Sequence, residues 1–134
     1  VPLAPALIAV FVGAGFGACL RFALGLVLAR AQHLVPQLPL GTLAANLIGG
    51  YLVGVAIALL AWHSELSALW RLALITGFLG GLTTFSTYSA EVVAALSRGA
   101  WAWAAAIAAT HLVGSLALTA LGLATVRFFT RSLG

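Results

Sequence analysis

The sequence contains no lysine, a single cysteine and only two acidic residues, Glu65 and Glu91, in 134 positions. One thiol, Cys19, rules out an intrachain disulfide and reads as a small packing residue. Two carboxylates are too few for a bulky cation site, which would want several acidic groups. The six arginines leave a net charge of +4, yet they are scattered along the chain. Nucleic-acid binding is therefore not expected, because displacing counterions takes clustered cations. Contact with membrane lipid headgroups accounts for them better. No phosphate-cradling loop occurs, so nothing points to ATP use. The start, VPLAPALIAVFVGAGFGACL, lacks a basic leader segment and its apolar run outlasts a signal-peptide core, so it is expected to stay in the mature protein.

What is present is hydrocarbon. The chain is 63% hydrophobic and 6% charged, with a mean hydropathy of +1.19, which no ordinary soluble domain matches. A bilayer core takes roughly 20 apolar residues per helix, and the charged and proline-containing breaks divide the chain into four such pieces. They are predicted at about 3–29, 41–61, 69–96 and 101–126, forming a single four-helix transmembrane domain over 1–134. The connections RAQHLVPQLPL, WHSELSA and SRGA leave no room for a separate soluble domain. Function must reside inside the membrane. With four spans, Arg71, Arg127 and Arg131 fall on the side of the termini, Arg30 and Arg98 on the other, and Arg21 inside the first span nearer that second face. Orientation follows a Lys/Arg excess on one side, and here there is hardly any. Either the chain inserts both ways and pairs as an antiparallel two-fold dimer, or a partner imposes one orientation.

Gly13, Gly17, Arg21 and Gly25 follow one another at i+4 steps in the first span, and Asn46, Gly50 and Gly54 do so in the second. Small residues at this spacing let helix backbones approach closely in lipid. Arg21 within a span costs at least about 2.5 kcal/mol unless it pairs, snorkels or reaches a wet vestibule. Asn46 is either interhelical glue or a ligand donor. His111, Ser115 and Thr119 form a further i+4 polar line in the fourth span. The third span holds GFLGGLTTFSTYSAE, residues 77–91, which gathers glycines, hydroxyls and a carboxylate. Its glycines weaken the helix, and Thr83, Thr84, Ser86 and Thr87 can satisfy freed backbone groups or an ion. Non-helical backbone at membrane depth is tolerated only when buried in protein or lining a cavity, and broken helices bind ions in transporters. The third helix is therefore expected to be broken at mid-membrane. Phe85 and Tyr88 share one helical face, with Glu91 a turn further on. Ring edges are positive and suit an anion, unless both rings are simply core aromatics.

GFLGGLTTFSTYSAE resembles the third-helix signature of the Fluc-type fluoride channels. GACLRF, GTLAANLIGGYLVG and GSLALTALGLA resemble their first, second and fourth helices. The resemblance covers nearly the whole chain. It implies an all-α membrane protein of the bacterial plasma (inner) membrane, with four-helix subunits forming an antiparallel, dual-topology homodimer with two fluoride pores and a central sodium ion. Carried over by position, it implies sodium held by the backbone carbonyls of Gly80 and Thr83 of both subunits. Phe85 would be the first pore aromatic, Asn46 a donor on the fluoride path and Ser115 a donor beside it. Thr84, Thr87 and Glu91 would lie near a hydroxyl-lined track, and Arg21 near the vestibule. Two positions depart from the family pattern. Tyr88 stands where phenylalanine is usual, and His111 where a small hydroxyl residue often sits. His111 then either makes conduction sensitive to pH or is a neutral histidine bonded to a neighbouring helix.

The implied activity is passive, selective fluoride export, in which closely placed neutral donors replace the tightly held water of a small anion. No enzyme activity is expected. Three rival readings make different demands. A small multidrug-resistance antiporter needs a deep titratable carboxylate, for which Glu91 is the sole intramembrane candidate. A structural subunit of a larger complex predicts no flux. A hydrolase built on Ser115, His111 and Glu91 needs a triad geometry.

Overall fold

A computed structural model describes residues 1–62 and 65–132 of the chain, so His63 and Ser64 in the second connection, with 133 and 134, lie outside the described residues. Four helical stretches, Leu3–Ala29, Leu40–Trp62, Ala68–Ser97 and Trp101–Arg131, are long and apolar enough to cross a membrane. The fourth extends several residues beyond the predicted end near 126. Large apolar side chains such as Phe11, Phe16 and Phe22 are exposed, as hydrocarbon surroundings permit.

The first connection is tied by one side chain. Gln32 donates from Nε2 to the carbonyls of Val35 at 3.0 Å and Leu38 at 2.7 Å. Its Oε1 accepts the Leu40 N–H at 3.3 Å, so the same amide satisfies an orphan donor at the start of the second span. The third connection is a glycine turn. Gly99 has φ +72°, and the N–H groups of Gly99 and Ala100 bond back to Leu96 and Ala95. This is a Schellman closure, which requires a left-handed residue at that position.

Small residues decide which spans touch. A Cβ added at Gly13 or Gly17 would collide with the main chain of Ala73 or Phe78, so the glycine line of the first span fits against the third. A Cβ at Gly54 would collide with the Thr119 carbonyl, and one at Gly122 with that of Tyr51. The second and fourth spans thus pack backbone to backbone. Thr119 adds a hydrogen bond from Oγ1 to the Gly50 carbonyl at 3.0 Å. The buried hydrophobic groups are correspondingly small, with Ala45, Leu79 and Leu82 in one cluster and Ala95, Ala104 and Ile107 in another.

The third span is irregular. Leu72–Leu79 has the wide turns of a π-helix, and helical geometry resumes over Gly80–Leu82. Thr83 (φ −86°, ψ 157°) and Thr84 (φ −151°, ψ 118°) are extended before the helix Phe85–Ser97 begins.

Candidate functional site

The extended pair is held by the second span. Asn46 Oδ1 accepts the Thr84 N–H at 2.7 Å, and Asn46 Nδ2 donates to the Thr84 carbonyl at 2.9 Å. One amide side chain thereby stands in for the two helical rungs that Thr84 would otherwise make. Thr84 then caps the following helix, its Oγ1 accepting the Thr87 N–H at 3.2 Å and donating to Thr87 Oγ1 at 3.0 Å. Thr83 Oγ1 bonds back to the Leu79 carbonyl at 2.8 Å.

This diversion of donors has a local consequence. In a continuous helix the Thr84 N–H would serve the Gly80 carbonyl, and the Thr87 N–H the Thr83 carbonyl. Both donors are spent elsewhere, on Asn46 Oδ1 and Thr84 Oγ1. The Gly80 and Thr83 carbonyls, which the resemblance implies as sodium ligands, are thus among the main-chain oxygens here without their i+4 partners, together with those of Gly81 and Leu82, and Gly80 lies on the exposed surface of the single chain.

Beside the extended pair is a cavity of about 320 Å³ whose walls include Asn46, Thr84, Phe85, Tyr88, His111 and Ser115. Asn46 Nδ2 also contacts His111 Nδ1 at 3.0 Å. The Tyr88 ring stacks on the imidazole with centroids 4.8 Å apart, and Phe85 meets Tyr88 edge to face at 5.3 Å. His111 is 3% exposed and Phe85 is 79% exposed, so one end of this row is deep in the bundle and the other opens outward from the single chain. Most of the area that lines it is apolar, with the polar groups set among it.

Arg21 and Thr87 line a second cavity of about 470 Å³, together with Thr42 and Thr84. Thr84 borders both cavities. Glu91 lines neither of them. Its Oε1 accepts a 2.5 Å hydrogen bond from Thr42 Oγ1 of the second span, and its Oε2 is buried with no partner among the described residues. Thr42 escaped the sequence reading, although it sits one i+4 step before Asn46 and extends the Asn46, Gly50, Gly54 line. The triad reading of Ser115, His111 and Glu91 finds no support, because His111 Nδ1 is engaged by Asn46 and Glu91 by Thr42.

The family model described as "CrcB-like protein, Camphor Resistance (CrcB)" matches residues 8–123. The chain belongs to this family. Proteins named "Fluoride-specific ion channel FluC" from Burkholderia mallei (strain SAVP1) and Burkholderia pseudomallei (strain K96243) are each 55% identical to it over 121 residues, or 90% of this chain and 92% of theirs. A relative of the same name from Burkholderia ambifaria (strain MC40-6) is 57% identical over the same span. The resemblance read from the third-span motif is thereby borne out, and the CrcB relatives carry the names of channels, which are not enzymes. With its four apolar helices this CrcB member is a multi-pass membrane protein.

Proposed function

We propose that the protein is a fluoride-selective channel that lets fluoride leave the cell passively across the bacterial inner membrane. The observation that carries this reading is the extended pair Thr83 and Thr84 in the third span, clasped at Thr84 by Asn46. It gathers an amide, an imidazole, hydroxyls and aromatic edges around one small cavity, without a fixed cation that would trap an anion. Kinship with relatives named for fluoride supports the choice of ion.

The working unit is an antiparallel, dual-topology homodimer with two pores. The near-balance of arginines across the two faces supports insertion in both orientations. The outward exposure of Phe85 and Gly80 supports a second copy completing what one chain leaves open. Phe85, Tyr88, Asn46, His111 and Ser115 line the fluoride path, Thr84, Thr87 and Glu91 border a hydroxyl track, and Arg21 draws anions toward its mouth.

The Gly80 and Thr83 carbonyls fit a structural sodium ion, since freed main-chain oxygens at a helix break are the donors such a cation takes. Two chains together would supply four of them. When bound, the ion would add positive potential at the dimer centre and hold the two breaks in register.

The test is anion efflux from liposomes containing the purified protein. Fluoride efflux well above chloride efflux is expected, and folded dimers that pass no fluoride would overturn the reading. Replacing sodium by a larger cation should lower the flux, and indifference to that exchange would remove the central sodium.

A further inference from the structure

Where the second and fourth spans end, on the side of the termini, they border a cavity of about 240 Å³ that the proposed fluoride path does not use. The two spans touch at Gly54 and Thr119, and Trp62 and Arg127 each come about two helical turns beyond that contact. Both therefore reach the same membrane boundary. The deeper walls of the cavity include Ile57, Ala58 and Leu123, and its rim carries Trp62, Arg127 and Thr130. The Arg127 guanidinium and the Trp62 indole N–H have no partner among the described residues, and no carboxylate is among the described walls. Both groups can only donate. Thr130 differs, because its hydroxyl hydrogen goes to the Arg127 carbonyl at 3.1 Å, which leaves only its lone pairs to offer. A charged donor, a neutral donor and one acceptor thus ring the mouth of an apolar slot.

We infer that this cavity binds an anionic phospholipid with a hydroxyl-bearing headgroup, of the phosphatidylglycerol kind, gripped at its phosphate by Arg127. The planar guanidinium matches a phosphate with two parallel hydrogen bonds, and an indole at the membrane boundary sits at headgroup level, where its N–H can join them. The acyl chain lies against Ile57, Ala58 and Leu123, and a headgroup hydroxyl donates to Thr130. An ammonium headgroup fits poorly, since it meets Arg127 and finds no carboxylate. The site is off the proposed path and stands apart from the channel reading. In the antiparallel dimer proposed above, the two copies place one such lipid in each leaflet.

Native mass spectrometry of the full chain in mild detergent, with equal amounts of phosphatidylglycerol, phosphatidylethanolamine or inorganic phosphate added, reads occupancy directly. Phosphatidylglycerol adducts should exceed phosphatidylethanolamine adducts several-fold, and phosphate should add none. Arg127 is exposed, so Arg127→Gln leaves folding intact, and it should weaken phosphatidylglycerol binding about tenfold, the worth of one hydrogen bond to a charged group. Arg131→Gln removes a cation that does not line the cavity and should bind as wild type does. Thr130→Val keeps the shape, deletes the acceptor and should abolish the preference for phosphatidylglycerol over phosphatidic acid, which lacks the glycerol headgroup. Equal losses from Arg127→Gln and Arg131→Gln would reduce the site to diffuse charge attraction. Phosphate binding as well as the lipid would make a free anion the occupant, and adducts on monomers but none on dimers would give the cavity to a second copy. Each of these results overturns the inference and leaves the channel reading in place.

Discussion

Replacing Asn46 by alanine removes both hydrogen bonds that hold Thr84 out of the helix, at 2.7 and 2.9 Å. Thr84 is only 8% exposed, so water does not readily take the place of the amide. Interhelical hydrogen bonds in membranes average about 0.6 kcal/mol, but a buried group left with no partner costs about 1–3 kcal/mol. If Thr83 and Thr84 stayed extended, two orphaned groups would cost roughly 2–6 kcal/mol. The chain has an escape, because the Thr84 N–H can return to the Gly80 carbonyl and the span can close into continuous helix. That route limits the loss to about 2 kcal/mol, or roughly thirtyfold in the folding equilibrium, and it returns the pair to helical geometry. Two measurements check this in lipid nanodiscs. Carbon chemical shifts of Thr83 and Thr84 should move from extended toward helical values, and the unfolding free energy should fall by about 2 kcal/mol. Thr83 and Thr84 still extended in Asn46→Ala, with stability within about 0.5 kcal/mol of wild type, would refute the claim that this amide keeps the pair extended.

Further predictions concern packing and the path. Gly54→Ala places a methyl group against the Thr119 carbonyl, with the Leu123 nitrogen 2.8 Å away. Main chain cannot yield as a side-chain tip can, so a loss of about 1–3 kcal/mol or more is expected in thermal unfolding. Gly15→Ala, where nothing lies within 4 Å, should stay within about 0.5 kcal/mol of wild type; equal effects at the two sites would discredit the close-approach account. Phe85→Ile deletes a ring that is 79% exposed in the single chain, so folding should be unchanged. Fluoride efflux should nevertheless drop about tenfold, equivalent to roughly 1.4 kcal/mol at the barrier, and undiminished efflux would remove Phe85 from the path.

The spans were legible because hydrocarbon burial leaves a mark that length and composition carry unaided: twenty or so mostly apolar residues with few charges among them. The pairing of helices was half legible. The i+4 glycine lines announced close approach, but Gly13 and Gly17 meet the third span while Gly50 and Gly54 meet the fourth, and nothing in a one-dimensional pattern names the partner. The GFLGGLTTFSTYSAE stretch announced an irregular helix through residues that compete for backbone hydrogen bonds.

Composition and motif thus determined by themselves that the chain is membrane-embedded, helical and irregular in its third span, because these follow from transfer energies and local backbone preferences. Tertiary structure alone decided that Asn46 grips Thr84, that Thr42 holds Glu91, and that His111 keeps one ring nitrogen bonded and the other bare. Such pairings join residues 38, 49 and 65 positions apart. Their geometry is set by how four helices cross and by which polar groups, denied water, find each other.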